Sequence, residues 1–131
     1  MELAATLDFW LWAAAAVLAA LYLMAGTMKA TRPIPDLARM IAWPGDVPAP
    51  FVRFIGIVEI LGPFGLVLPI ATGIMAWLTP LAAIGLSIIQ LLAIGFHAQR
   101  GETSSTLTMN LGLLALSVFV AWGRLPLFGA L

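Results

Sequence analysis

The sequence contains no cysteine. Disulfides, thiolate metal sites and dithiol redox chemistry are therefore excluded for this chain acting alone. Charge is nearly as scarce, with six Lys and Arg and six Asp and Glu among 131 residues and a formal net charge of zero. A soluble domain of this size needs far more charge to cover its surface. No basic patch of the kind that holds a nucleic acid is present, so that class of partner is not expected. There is one histidine. With no cysteine and one deep carboxylate it falls short of the usual ligand set of a metal site, so none is expected. Haem held by that single histidine is the less favoured alternative.

What the chain has in abundance is apolar surface: 63% of its residues are hydrophobic and its mean hydropathy is +1.08. Several runs approach the roughly 20 residues that a helix needs to cross a bilayer core. The N-terminal stretch Met1 to Asp8 carries Glu2 and Asp8 but no Lys or Arg. A cleaved signal peptide begins with a basic stretch and has a shorter apolar core, so the first run reads as a retained span. The expected spans are Leu7–Met28, Phe51–Thr72, Ile74–Phe96 and Thr106–Trp122, forming one transmembrane domain. Trp10, Trp12 and Tyr22 are positioned as interfacial rings on the first of these.

One long polar connection, Lys29 to Pro50, contains Pro33, Pro35, Pro44, Pro48 and Pro50, which forbid a continuous helix. Between them DLARMIAW (Asp36 to Trp43) is expected to form two turns lying flat on the membrane. The link between the second and third spans is expected to be a very short turn at Thr72 and Gly73. Four spans with short links predict an all-α, antiparallel four-helix bundle. Lys29, Arg32, Arg39, Arg53 and Arg100 then fall at one end, against Arg124 at the other. The positive-inside rule puts Lys29–Pro50 and His97–Ser105 in the cytoplasm and both termini outside. A bacterial inner membrane is the expected location.

Polar residues inside the spans fall at helical spacing, three, four or seven apart. Tyr22, Gly26 and Lys29 share a face, as do Gly56, Glu59 and Pro63. So do Ser87, Gln90 and His97, and Thr103, Thr106, Asn110 and Ser117. With lipid outside, these stripes should turn inward and meet. Lys29 and His97 end their helices at the loop side, and Glu59 lies roughly 12 Å deep at 1.5 Å per residue. The expected constellation is Lys29, Glu59, His97, Gln90 and Asn110, with the proline-rich loop and its Trp43 across the mouth and Tyr22 and Ser87 on the same stripes. Pro63 removes the N–H that would bond the carbonyl of Glu59, leaving that carbonyl free as well. Such a break in the backbone pattern is tolerated in a bilayer only where protein or a wet cavity satisfies it. Pro80 stands in the same relation to Ala76, but with no charged side chain nearby it is expected to be a plain kink or a first-turn proline.

Each of these residues has a structural reading beside its chemical one. Glu59 is either an ion-pair partner that fixes helix register or a site carboxylate. Lys29 is a snorkelling interfacial cation or a ligand. His97 caps its helix or works in the site, and Asn110 makes an interhelical hydrogen bond or binds a ligand. Trp43 and Trp77 suit interface anchors, Arg100-Gly101-Glu102 suits a solvated turn, and the glycines of the second span permit close packing.

The order AGTMK (Ala25 to Lys29), FIGIVEILGPFGLVLP (Phe54 to Pro69), LTPLAAIGL (Leu78 to Leu86), His97 with Arg100-Gly101-Glu102, NLGLLAL (Asn110 to Leu116) and VAWGR (Val120 to Arg124) resembles the DoxX-like membrane proteins. The resemblance covers nearly the whole chain. It implies a small four-span protein with a basic residue at Lys29 and an acidic one at Glu59. It also implies links to membrane redox complexes, including quinone-reducing thiosulfate oxidation and thiol or oxidative-stress defence. The bundle is distantly similar to vitamin K epoxide reductase, whose chemistry needs the cysteines that this chain lacks.

The first functional expectation is an accessory subunit that binds a lipophilic molecule, quinone-like, and serves a redox partner protein, with no intrinsic cofactor and with homo-oligomers left open. The rival is a stand-alone isomerase or hydrolase in which Glu59, His97 and Lys29 are catalytic and Gln90, Asn110, Tyr22, Ser87 and Trp43 bind the ligand. A purely structural scaffold is the third reading.

Overall fold

A computed structural model describes residues 2–41, 43–101 and 104–130. Helix α1 spans Glu2–Thr31 and is free of proline and, before Gly26, of glycine, so nothing interrupts it for about 45 Å. It ends where Pro33 disfavours helical geometry at Arg32, with Arg32 N–H donating to the Met28 carbonyl and Thr31 Oγ1 to that of Thr27. A short amphipathic helix α2 (Ile34–Ile41) follows, with Pro35 in its first turn, where a missing N–H costs nothing. It begins two residues before the expected Asp36, and Ala42 lies outside the described residues. A 3₁₀ turn, Trp43–Asp46, leads to α3 (Ala49–Thr72), α4 (Leu78–Gln99) and α5 (Ser104–Arg124), and a closing 3₁₀ segment, Leu125–Ala130.

Among the described residues there is no strand, and the four long helices are apolar enough to cross a membrane. The fold is an all-α bundle. α1 packs on α3, α3 on α4, α4 on α5 and α5 back on α1, closing a ring of four. Leu18, Leu66, Ala83, Leu86 and Val120 fill its centre, while Phe54, Leu61, Leu92 and Trp122 face outward. Lipid is as apolar as these side chains, so the helices are held by close packing and polar contacts rather than by escape from water.

Two details depart from the sequence reading. The third span starts at Leu78 rather than Ile74, because Gly73 takes a left-handed conformation (φ 73°) and ends α3 with its N–H on the Pro69 carbonyl. Ile74 to Trp77 then form a turn with Met75 at φ 52°. Pro80 falls in the first turn of α4, one of the two places expected for it, and the Ala76 carbonyl accepts from Thr79 N–H at 3.1 Å. Tyr22 is not an interfacial ring; it is 2% exposed and buried in the bundle.

The closest helix approach is between α1 and α3. A Cβ added at Gly26 would meet the Gly56 carbonyl oxygen at 2.7 Å, and one at Gly56 would meet the Ala30 backbone nitrogen at 2.6 Å. Only glycine fits at either place, and this contact sets the spacing between the residues one turn further along. Gly56→Leu should destabilise the bundle by about 1–3 kcal/mol through forced separation of α1 and α3. Thermal unfolding of the purified protein measures this, and Gly85→Leu, where a Cβ meets nothing within 4 Å, should have far less effect.

Candidate functional site

One turn beyond the glycine contact, Lys29 Nζ donates to Glu59 Oε1 at 2.7 Å. The carboxylate is 5% exposed. Lys29 carries its charge inward because α1 and α3 touch at Gly26 and Gly56, and the ammonium also lies 5.7 Å from the centre of the Trp43 ring. Arg53 Nη1 donates to the carbonyls of Lys29 and Arg32 at 2.9 and 2.6 Å, capping the end of α1 and fixing the base of the Lys29 side chain.

The proline-rich loop folds back over this end. Leu37, Trp43 and Val52 form a small buried cluster against Met28, Ile34, Val47 and Phe96. Trp43 meets Phe51 and Phe96 edge to face, at 6.4 and 6.0 Å between ring centres. Asp46 pairs with Arg100 at 2.8 Å, so the Arg100-Gly101 end of α4 is tied to the loop rather than being a freely solvated turn. Glu102 lies outside the described residues.

Beneath the loop is a cavity of about 490 Å³, within the usual range for small-molecule sites. Lys29, Trp43, His97 and Asn110 give it a polar end, and Met24, Ala25, Met28, Met40, Ile41 and Met109 give it apolar walls. The Asn110 Nδ2 is buried and has no partner. A larger hollow on the outer face of α5, lined by Leu111, Leu114, Ala115, Val118, Phe119 and Trp122, has no polar side chain to orient a ligand.

The expected polar constellation is thereby divided in two. Lys29, His97, Asn110 and Trp43 reach the cavity. Glu59, Gln90, Tyr22 and Ser87 do not line it and form a packed layer below. Gln90 Nε2 donates to the Tyr22 hydroxyl at 2.6 Å across the bundle from α4 to α1. Ser87 Oγ donates to Ala83 on its own helix at 2.8 Å, as Ser117 Oγ does to Leu113. Glu59 Oε2 and Gln90 Oε1 are buried without partners. Glu59 is thus joined to the cavity lining by its bond to Lys29. Thr103 lies outside the described residues, as does the side chain of Thr106.

Sequence reasoning missed the four methionines of the cavity and the opposite end of the bundle. There Arg124 Nη1 pairs with Asp8 at 2.6 Å and its guanidinium lies 5.8 Å from the centre of the Trp12 ring. A sole basic residue in the last turn of a span, facing an acid in the first turn of another, was the available signal.

The profile of the DoxX-like family matches residues 13–120. The chain belongs to the DoxX-like family. The match takes in both members of the Lys29–Glu59 pair and the polar end of the cavity, so the site lies inside the part common to DoxX-like proteins. No curated protein and no solved structure matches the chain.

Removing one partner of a buried pair leaves an uncompensated charge and costs about 3–5 kcal/mol, while replacing both with apolar residues costs far less. Lys29→Met alone should lower thermal stability strongly, and Lys29→Met with Glu59→Leu should recover most of the loss. Differential scanning fluorimetry of the three proteins tests this; no recovery in the double variant would show that the two residues do not act as a pair.

Proposed function

We propose that this DoxX-like protein binds a lipophilic, ring-bearing molecule through its oxygen atoms, as an accessory subunit of a membrane redox system. The observation that carries this is the polar end of the cavity. It brings the Lys29 ammonium and the Asn110 amide, whose buried Nδ2 has no partner, to the lining of an otherwise largely apolar chamber. The ammonium and the amide N–H suit carbonyl or phenolic oxygens, and the Trp43 face and the flexible methionines suit a flat, polarisable ring. A quinone has these properties. The chain has no cysteine to pass electrons, so the electrons of such a ligand would belong to a partner protein.

A stand-alone proton-transfer enzyme is the second reading, favoured by His97 on the cavity wall. Glu59 supports it less, since it does not line the cavity and its Oε1 is held by Lys29. In either case the loop that covers the cavity faces the cytoplasm, a reading supported by the basic residues gathered at that end.

Mass spectrometry of lipids carried through gentle purification should find a ring-bearing lipid with the wild type and severalfold less with Asn110→Leu. Equal retention by both would remove Asn110 from the site, and only bulk phospholipid in both would favour a scaffold. For the orientation, a reporter active only in the cytoplasm should stay silent when fused after Leu131 and become active when inserted at Gly45.

A further inference from the structure

The cavity opens to the outside along residues of α1, α2 and α5. At the loop end Trp43 and Pro44 are buried, Trp43 is wedged between Phe51 and Phe96, and the Asp46–Arg100 pair ties the loop to α4. The exposed lining residues are Met24 (59%), Met40 (52%), Met109 (62%) and Ile41 (37%). Met24 is about 10 Å along the axis from the end of α1 at Thr31. It shares its outward surface with Leu21 and Val17, which are also exposed. Met109 is likewise inside the first turns of α5, beside the exposed Leu111. Both fall within the apolar spans Glu2–Thr31 and Leu107–Gly129.

We infer that the ligand reaches the cavity sideways from the bilayer, through a mouth bordered by Met24 of α1, Met40 of α2 and Met109 of α5, and that it is a tailed amphiphile whose headgroup alone enters. This deepens the proposed function and rests on it. A volume of about 490 Å³ holds a ring and the first carbons of a chain but not a whole long-tailed lipid. The tail must then leave through the mouth, where unbranched thioether side chains adapt to it without a fixed shape. Lys29 and Asn110 are shielded where the methionines are exposed, so the head goes in first and the tail stays among lipid chains. Loop-side access would instead require parting the Trp43 cluster and breaking the Asp46–Arg100 pair.

The test uses the whole chain in phosphatidylcholine nanodiscs, with a benzoquinone bearing a decyl tail that ends in a diazirine. Photolysis should label α1 and α5 around Met24 and Met109, and excess unreactive decyl-benzoquinone should suppress that labelling. Met109→Trp, which fills the mouth, should lower the suppressible labelling by about tenfold, while Asp46→Ala should leave it unchanged. Equilibrium dialysis of the same ring without its tail gives an independent reading of the head site. If the untailed ring binds but the carbene labels Pro44 to Val47 or Gln99 to Gly101, the head site stands and the sideways route is overturned. If Asp46→Ala raises labelling and Met109→Trp does nothing, the route is also overturned. If neither ring binds, the binding reading falls and this inference falls with it.

Discussion

Taking a carboxylate and an ammonium out of water costs several kcal/mol per ion, and their attraction repays this only when the geometry is close and the remaining groups are satisfied. Lys29 and Glu59 meet at 2.7 Å inside the bundle, and much of the neighbouring structure serves that distance. Gly26 and Gly56 bring the two backbones into contact one turn away. Arg53 secures the carbonyl of Lys29, and the Trp43 ring covers the ammonium. The pair leaves Lys29 at the cavity wall and Glu59 behind it. A charge that helix packing alone would keep at the interface is thus held within reach of a ligand.

The same arrangement separates two roles that polar residues have in a membrane bundle. Tyr22 and Gln90 bond to each other across the core, and Ser87 and Ser117 return their hydroxyls to their own helices. These contacts specify how the helices pack. Asn110, His97, Lys29 and Trp43 instead border empty volume, and the Nδ2 of Asn110 is buried without a partner. Buried polar groups are ordinarily bonded, so an unused donor on a residue that borders the cavity is the feature that packing alone does not explain.

Much of this was legible in the sequence because bilayers punish buried polarity. Glu59 stood out in an apolar run, and three- and four-residue spacing was enough to bring Lys29 to its side of the bundle. The mouth was not legible. A methionine that faces a cavity has the same hydropathy as one that faces lipid, so Met24, Met28, Met40 and Met109 carried no signal until the helices were placed. The turn at Ile74 to Trp77 was missed for a related reason, since those residues continue the apolar run and only the left-handed Gly73 breaks it. Spacing on one helix also says nothing about depth on another. Gln90 and Tyr22 were grouped with the ligand residues although they bond to each other below the cavity.

Whether the polar end of the cavity holds a headgroup is tested most directly by stability as a function of ligand. A molecule that binds only the folded state raises stability by RT ln(1 + [L]/Kd), about 2.7 kcal/mol at one hundred times Kd. Thermal unfolding of the wild type and of Asn110→Leu across a titration of decyl-benzoquinone should show a saturating rise in the wild type and little or none in the variant. A flat response in both, or the same rise in both, would contradict a headgroup site at Lys29 and Asn110.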